Sequence, residues 1–203
     1  MTGILSRLTA VTIAIGLGLG GPTNSQAAGR IERETYRHCD TGILFPSDLG
    51  GLARASMNIQ DPSKCFLHGI RYLVPGLRGS ATIRISPGGG ERCIARFAKE
   101  DERMRAVWWH REPRLNGEPL RLLGSDVQQH TARYTDGENI GGRHQRPETN
   151  LTLWVGCIGP GRGETATWVV RYESDFEAAD EAKVADLPQK LFAAIDWSPI
   201  AAK

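Results

Sequence analysis

Seven short runs of β-branched, aromatic and other apolar residues, each closed by turn residues, set the tightest limit on what this chain can fold into. Four lie in the first half, at 42–45, 52–59, 65–74 and 81–86, separated by Pro46-Ser47-Asp48, Asp61-Pro62-Ser63 and Pro75-Gly76. Three more follow at 126–134, 150–157 and 165–172, between Gly-rich loops. Runs of this length between Pro, Gly and Asp read as strands. Connections this short join antiparallel neighbours, so the first four form a meander.

The period changes after Pro87-Gly88-Gly89-Gly90. Ile94, Phe97, Ala98, Met104 and Val107 to Trp109 recur near helical spacing with charges between them, which predicts a helix over 92–108. A second helical stretch runs over 176–197 and breaks or restarts at Asp186-Leu187-Pro188, where Asp can cap and Pro can enter the first turn. Strands with helices set between and after them give an α+β fold. We expect a mostly antiparallel sheet of about seven strands, one mid-chain helix and one C-terminal helix, and not a doubly wound parallel sheet.

The first 27 residues stand apart. Arg7 precedes an apolar run from Leu8 to Gly20, which has the length of a signal-peptide core and is too short to span a bilayer. Pro22, Thr23 and Asn24 break the run, and Ser25-Gln26-Ala27 places small residues where a signal peptidase cuts. The expectation is a cleavable signal over 1–27 and a single domain over 28–203, periplasmic or secreted. Cys39 lies well past the apolar run, so no lipid anchor is expected, and no later segment is apolar enough for a membrane span.

An oxidising destination gives the four cysteines a role. Cys39, Cys65, Cys93 and Cys157 contain no C-x-x-C pair, which excludes thioredoxin-like and zinc-ribbon patterns and leaves structural disulfides. If the first strands alternate in direction, Cys39, Cys65 and Cys93 share one edge of the sheet. The pairing expected is Cys39 with Cys65 and Cys93 with Cys157. The chain carries 25 basic and 23 acidic side chains, and losing Arg7 leaves the two nearly equal. That balance gives no steering toward nucleic acid.

The stretch Tyr36-Arg37-His38-Cys39-Asp40-Thr41-Gly42-Ile43-Leu44-Phe45-Pro46, with Leu49-Gly50-Gly51-Leu52-Ala53-Arg54 after it, resembles a recurrent opening of exported bacterial proteins, Y-x-H-x-x-T-G-x-x-F-P-x-x-L-G-G-x-x-R. The group is uncharacterised, so the resemblance implies a compartment and a domain without implying a reaction. Strand order with a final helix is loosely similar to the PsbP-type α/β/α sandwich, a binding or assembly-factor fold. Trp168-Val169-Val170-Arg171-Tyr172 and the terminal helix extend the likeness; Cys39 departs from it, standing where a proline or polar residue is expected.

Candidate chemistry is sparse. Gly88-Gly89-Gly90 lies between a strand and a helix, with Arg84, Arg92 and Arg96 nearby, and such a turn can cradle an anion. It lacks the nucleotide-loop spacings, so a flexible connection is the plainer reading. Trp108-Trp109-His110-Arg111 could stack on a sugar or peptide, or pack both rings against the sheet. Arg133, Arg143, His144 and Arg146 border the Gly-rich loop 135–149, whose acidic residues Asp136, Glu138 and Glu148 offset much of their charge. Arg92, Trp108, Trp109, Arg143, His144 and Arg146 are thus the ligand-binding candidates.

His38, His68, His110, His130 and His144 are scattered without metal-ligand spacing, and Gly124-Ser125-Asp126 is not a nucleophile elbow, so no metal, cofactor or catalytic residue is assigned. Asn150-Leu151-Thr152 matches a glycosylation triplet by chance at the start of a strand. The composite expectation is an exported, soluble binding or accessory factor of a bacterial envelope. A small envelope hydrolase and a protein-partner assembly or stress factor are the alternatives. The partner classes left open are a protein and a small anionic ligand.

Overall fold

The computed structural model describes residues 35–38, 40–49, 51–61, 66–107, 111–113, 118–136, 147–160 and 165–201, with backbone alone at 55–61, 66–68, 107 and 111–112. The α+β expectation holds. A small hairpin pairs β1 (Tyr36–Arg37) with β2 (Leu44–Phe45). The main sheet contains β3 (Ala53–Asp61), β4 (Phe66–Leu73), β5 (Gly79–Pro87), β6 (Arg111–Pro113), β7 (Gln128–Asp136), β8 (Thr149–Ile158) and β9 (Trp168–Glu177). Their order is β3-β4-β5-β9-β8-β7-β6, and every neighbouring pair is antiparallel.

Two departures from the sequence reading fix this order. The 42–45 run leaves the meander for the separate hairpin. The three-residue β6, which contains Pro113 and gave no periodic signal, takes the far edge. Helix α1 (Cys93–Val107) carries the chain from β5 across to that edge. Strands β7, β8 and β9 then return one by one, until β9 pairs with β5 along its whole length, from Gly79 opposite Phe176 to Pro87 opposite Trp168.

The C-terminal segment starts later than periodicity suggested. Phe176 closes β9 as a buried strand residue held between β5 and β8, because pairing on both sides outweighs its helical spacing. A 3-10 turn (Ala178–Asp180) leads into α2 (Glu181–Val184), α3 (Leu187–Ala193) and α4 (Ser198–Ala201). Pro188 sits in the first turn of α3 as expected. Asp186 precedes the helix without a side-chain cap bond, its carboxylate meeting Lys190 Nζ at 2.7 Å one turn later.

Alternation along the strands builds a core on each face. On one face, α1 covers Tyr134, Leu151, Leu153, Val155, Cys157 and Val169 through Cys93, Phe97 and Met104. On the other, Leu187, Leu191 and Phe192 of α3 pack on Ile70, Ile83, Trp154, Val170 and Tyr172. Phe192 is the hub, with its ring edge-on to Trp154 at 5.0 Å and stacked on Trp197 at 5.0 Å. Gly156 makes room for this: a Cβ there would lie 2.3 Å from Trp154 Cη2.

The Cys93–Cys157 bridge forms, with Cα atoms 5.6 Å apart, because the first residue of α1 lands over the end of β8. The expected partners Cys39 and Cys65 lie outside the described residues. Closing a loop of 64 residues stabilises the fold by roughly 4 kcal/mol in the chain-entropy account. Among the described residues no helix is long and apolar enough to cross a membrane.

Candidate binding site

The described residues of the segment 36–54 form a latch in this chain. Gly42, at φ 77°, lets the chain turn so that its N–H donates to the His38 carbonyl at 2.7 Å, while the His38 N–H donates to Ile43 at 2.8 Å. Thr41 Oγ1 and His38 Nδ1 share a hydrogen bond of 3.0 Å in a buried setting. The buried Arg54 donates from Nη1 to the Phe45 carbonyl at 2.9 Å, and the Tyr72 hydroxyl donates to Pro46 at 3.3 Å. Phe45 also meets Trp197 edge-on. His38 is held neutral by burial, which lowers its pKa although Asp40 pulls the other way.

The Gly88–Gly90 turn is tied to the 166–167 backbone. Gly88 N–H donates to Thr167 and Gly90 N–H to Ala166, and the Ala166 N–H returns a bond to Glu91. A Cβ on Gly88 would lie 2.1 Å from the Ala166 carbonyl oxygen, so glycine is required for this approach. The Gly88 and Gly90 amides are therefore spent on backbone pairing. Arg92 stands exposed just before α1. Trp108, Trp109, Arg143, His144 and Arg146 lie outside the described residues.

The chemistry that does converge lies beside α1. The helix covers β7 and β8, while β5 and β9 pass out from under it. The register places Ser80, Thr82 and Arg84 of β5 opposite Asp175, Glu173 and Arg171 of β9, all on the α1 face. Arg71 of β4 pairs with Thr82 and extends the row. Arg71, Ser80, Thr82, Glu173 and Asp175, with Met104 and Leu151, line a cleft of about 320 Å³, and Arg84 and Arg171 continue the same face beyond its lining. Asp175 fixes its floor by accepting from Ser80 N–H at 2.9 Å and Ser80 Oγ at 2.8 Å.

A charged lattice closes the helix side. The Arg171 side chain is only 7% exposed and forms ion pairs with Glu100 of α1 and with Glu173. Arg103 donates to Glu173 at 3.0 Å and to Glu100 at 3.2 Å, and Arg96 lies 3.4 Å from Glu100. Glu91 reaches Arg96 and Lys99. Arg84 is half-buried and joins none of these pairs: it makes no ion pair or hydrogen bond with a described residue, and its Nε is shut away from solvent. Burial first and the Arg103 charge second lower its pKa, with Glu100 opposing them.

A cavity of about 350 Å³, lined by Asp126 as well as Leu122, Leu123 and Ile158, sits between the 122–127 loop and Trp197. The buried Gln129 amide shapes that loop, accepting from the Leu122 and Leu123 N–H groups and donating to the Leu123 and Gly124 carbonyls. Tyr134 donates to Asp101, which also pairs with Arg105 at 3.0 Å, and the burial and adjacent carboxylate that raise its pKa make it a clasp for the end of α1. The free edge of β3 is broken by three register shifts, a distortion that works against strand addition. His130 packs on Phe97 at 5.2 Å inside its strand. Among the described residues no cluster of His, Cys, Asp or Glu could hold a metal.

Arg71, Glu100, Arg103, Arg171 and Glu173 went unnoticed in the sequence, although a signal existed. Arg171, Glu173 and Asp175 alternate through a strand that ends up in the middle of the sheet, where both faces are ordinarily apolar. Arg96, Glu100 and Arg103 fall at i, i+4 and i+7, one face of a helix. Two polar stripes of this kind are natural partners. No protein-family model matches the chain, and no curated protein matches its sequence.

Proposed function

We propose that the protein is an exported, soluble binding or accessory factor of a bacterial envelope, without catalysis, and that it binds its ligand in the cleft between α1 and strands β4, β5 and β9. The observation that carries this reading is the charged lattice at the centre of the sheet. Each carboxylate there is already engaged, Glu100 by three arginines, Glu173 by two and Asp175 by Ser80. Groups fixed in this way suit rigid recognition, since a general acid or base must be able to exchange its proton with substrate. Desolvated, mutually oriented charges at a concave site supply shape and polarity before the ligand arrives.

The signal segment and the Cys93–Cys157 bridge support export. Intact mass of protein recovered from an envelope fraction tests that part: it should begin at Ala28, with four thiols alkylated only after reduction. The binding part is tested by titrating ¹⁵N-labelled protein with a panel of amino acids, sugars and carboxylates. Amide shifts should gather at Arg71, Ser80, Thr82, Glu173 and Asp175. Shifts gathering instead at Trp197 or along β3, or turnover of a panel member, would overturn the reading.

A further inference from the structure

We propose that Arg84 and Arg103 form an oxyanion subsite at the head of this cleft, which takes the carboxylate or phosphate group of a small ligand whose body lies over Ser80 and Thr82. The inference rests on the binding reading above and names its ligand class. Among the described residues, Arg71, Arg84, Arg96, Lys99, Arg103 and Arg171 bring six cations to this face, against the four carboxylates of Glu91, Glu100, Glu173 and Asp175. The lattice therefore retains positive charge after every internal pair is made.

That excess centres on Arg84. Directly across the strand pair stands Arg171, a like charge that destabilises a sheet unless something compensates it. Arg171 is compensated twice by glutamates, whereas Arg84 makes no ion pair with a described residue and feels Glu100 only at a distance. The Nε atoms of Arg84, Arg96 and Arg171 are buried donors without an acceptor, a condition proteins seldom leave uncorrected. The Nε of Arg84 is out of a ligand's reach, but its two Nη groups make no bond with a described residue, and that planar pair of donors matches a carboxylate or phosphate.

The guanidinium is also held in place. A Cβ on Gly69 of β4 would lie 3.0 Å from Arg84 Cγ and 3.1 Å from Nε, so the arginine lies flat over bare backbone. Thr82, two residues earlier on the same face of β5, continues from Arg84 into the cleft, where Ser80 and Arg71 follow. An anionic group at Arg84 would thus leave the rest of a small molecule among hydroxyls and a second guanidinium.

The test uses the signal-cleaved chain at low ionic strength, titrated with inorganic phosphate and, separately, with succinate, with sodium chloride as the control. Melting temperature and calorimetric titration are the readouts. Phosphate or succinate should raise the melting temperature where equal ionic strength of chloride does not, and the stronger of the two assigns the group. Arg84→Gln should weaken that binding at least tenfold and Gly69→Ala should weaken it too, while Arg78→Gln, on an exposed arginine elsewhere, should leave it unchanged.

A second signature separates recognition from a structural role. Without ligand, Arg84→Gln should melt at or above the wild-type temperature, because it removes a desolvated charge that makes no ion pair with a described residue. A lower melting temperature, or binding insensitive to Arg84→Gln, overturns the proposal. If neither oxyanion binds while the ¹⁵N titration still maps another compound to the cleft, the subsite fails and the binding reading stands. Absence of any shift at the cleft removes both.

Discussion

Replacing both Cys93 and Cys157 with alanine releases the one covalent tie between α1 and the sheet among the described residues. The residues are 64 apart in sequence, which corresponds to roughly 14 cal/mol/K of closure entropy removed from the unfolded chain, or about 4 kcal/mol at 25 °C. A domain of this size has only about 5–15 kcal/mol to lose. With a urea slope of about 2 kcal/mol/M, the midpoint should fall by about 2 M. Both sulfurs are fully buried beside Val155, Val169 and Phe97, so the two small voids add to the loss.

The reasoning also predicts strong non-additivity. Cys93→Ala or Cys157→Ala alone breaks the same bond, so each single variant should be nearly as destabilised as the pair, and the double-mutant cycle should close far from zero. Urea unfolding of the four proteins, followed by tryptophan fluorescence, measures this. A double variant within about 0.5 M of wild type, or single effects that simply add, would show that α1 is held by packing and that the closure argument is wrong.

Two further outcomes can be checked on the same preparation. His38 stays neutral in the fold because burial lowers its pKa below the ordinary value near 6.5, so between those two pKa values the unfolded chain binds a proton that the native one refuses. Its stabilising contribution is complete above pH 6.5 and is lost as pH falls toward the native pKa; His130 shifts in the same direction, so urea midpoints at pH 7.5 and 5.5 for wild type, His38→Gln and His130→Gln should show a shallower loss in either variant. Arg171→Met should cost about 3–5 kcal/mol, since it leaves Glu100 and Glu173 without their buried partner, and adding Glu100→Gln should recover part of that loss; recovery absent from the melting temperatures would mean the lattice is not electrostatically coupled.

Much of the fold was legible because strands and helices write their period into the residues that must be buried. The helix expected over 92–108 is found at Cys93–Val107, and the three late strands appear close to their expected places. The Cys93–Cys157 pairing agrees with the structure, although it was reached as the remainder after Cys39 was assigned to Cys65, in a meander whose first run lies in the separate hairpin. What failed was local pattern in conflict with tertiary pairing. Phe176 reads as helical yet is held as strand from both sides, and β6 is too short and too polar to announce itself.

The candidate site was the least legible part. Sequence drew attention to glycines and clustered basic residues, and Gly88 proved to be a close-packing contact. The residues that converge are spread across β4, β5, α1 and β9 and are individually ordinary. By itself the sequence determined most of the element types and the α+β class, because each follows from short-range periodicity and composition. Only the tertiary structure decided that β9 inserts beside β5 and that α1 lies to one side of them. That placement leaves a row of charges at the centre of the sheet and Arg84 without an ion pair among the described residues, since the partners of a buried charge depend on which strands become neighbours and not on their order in the chain.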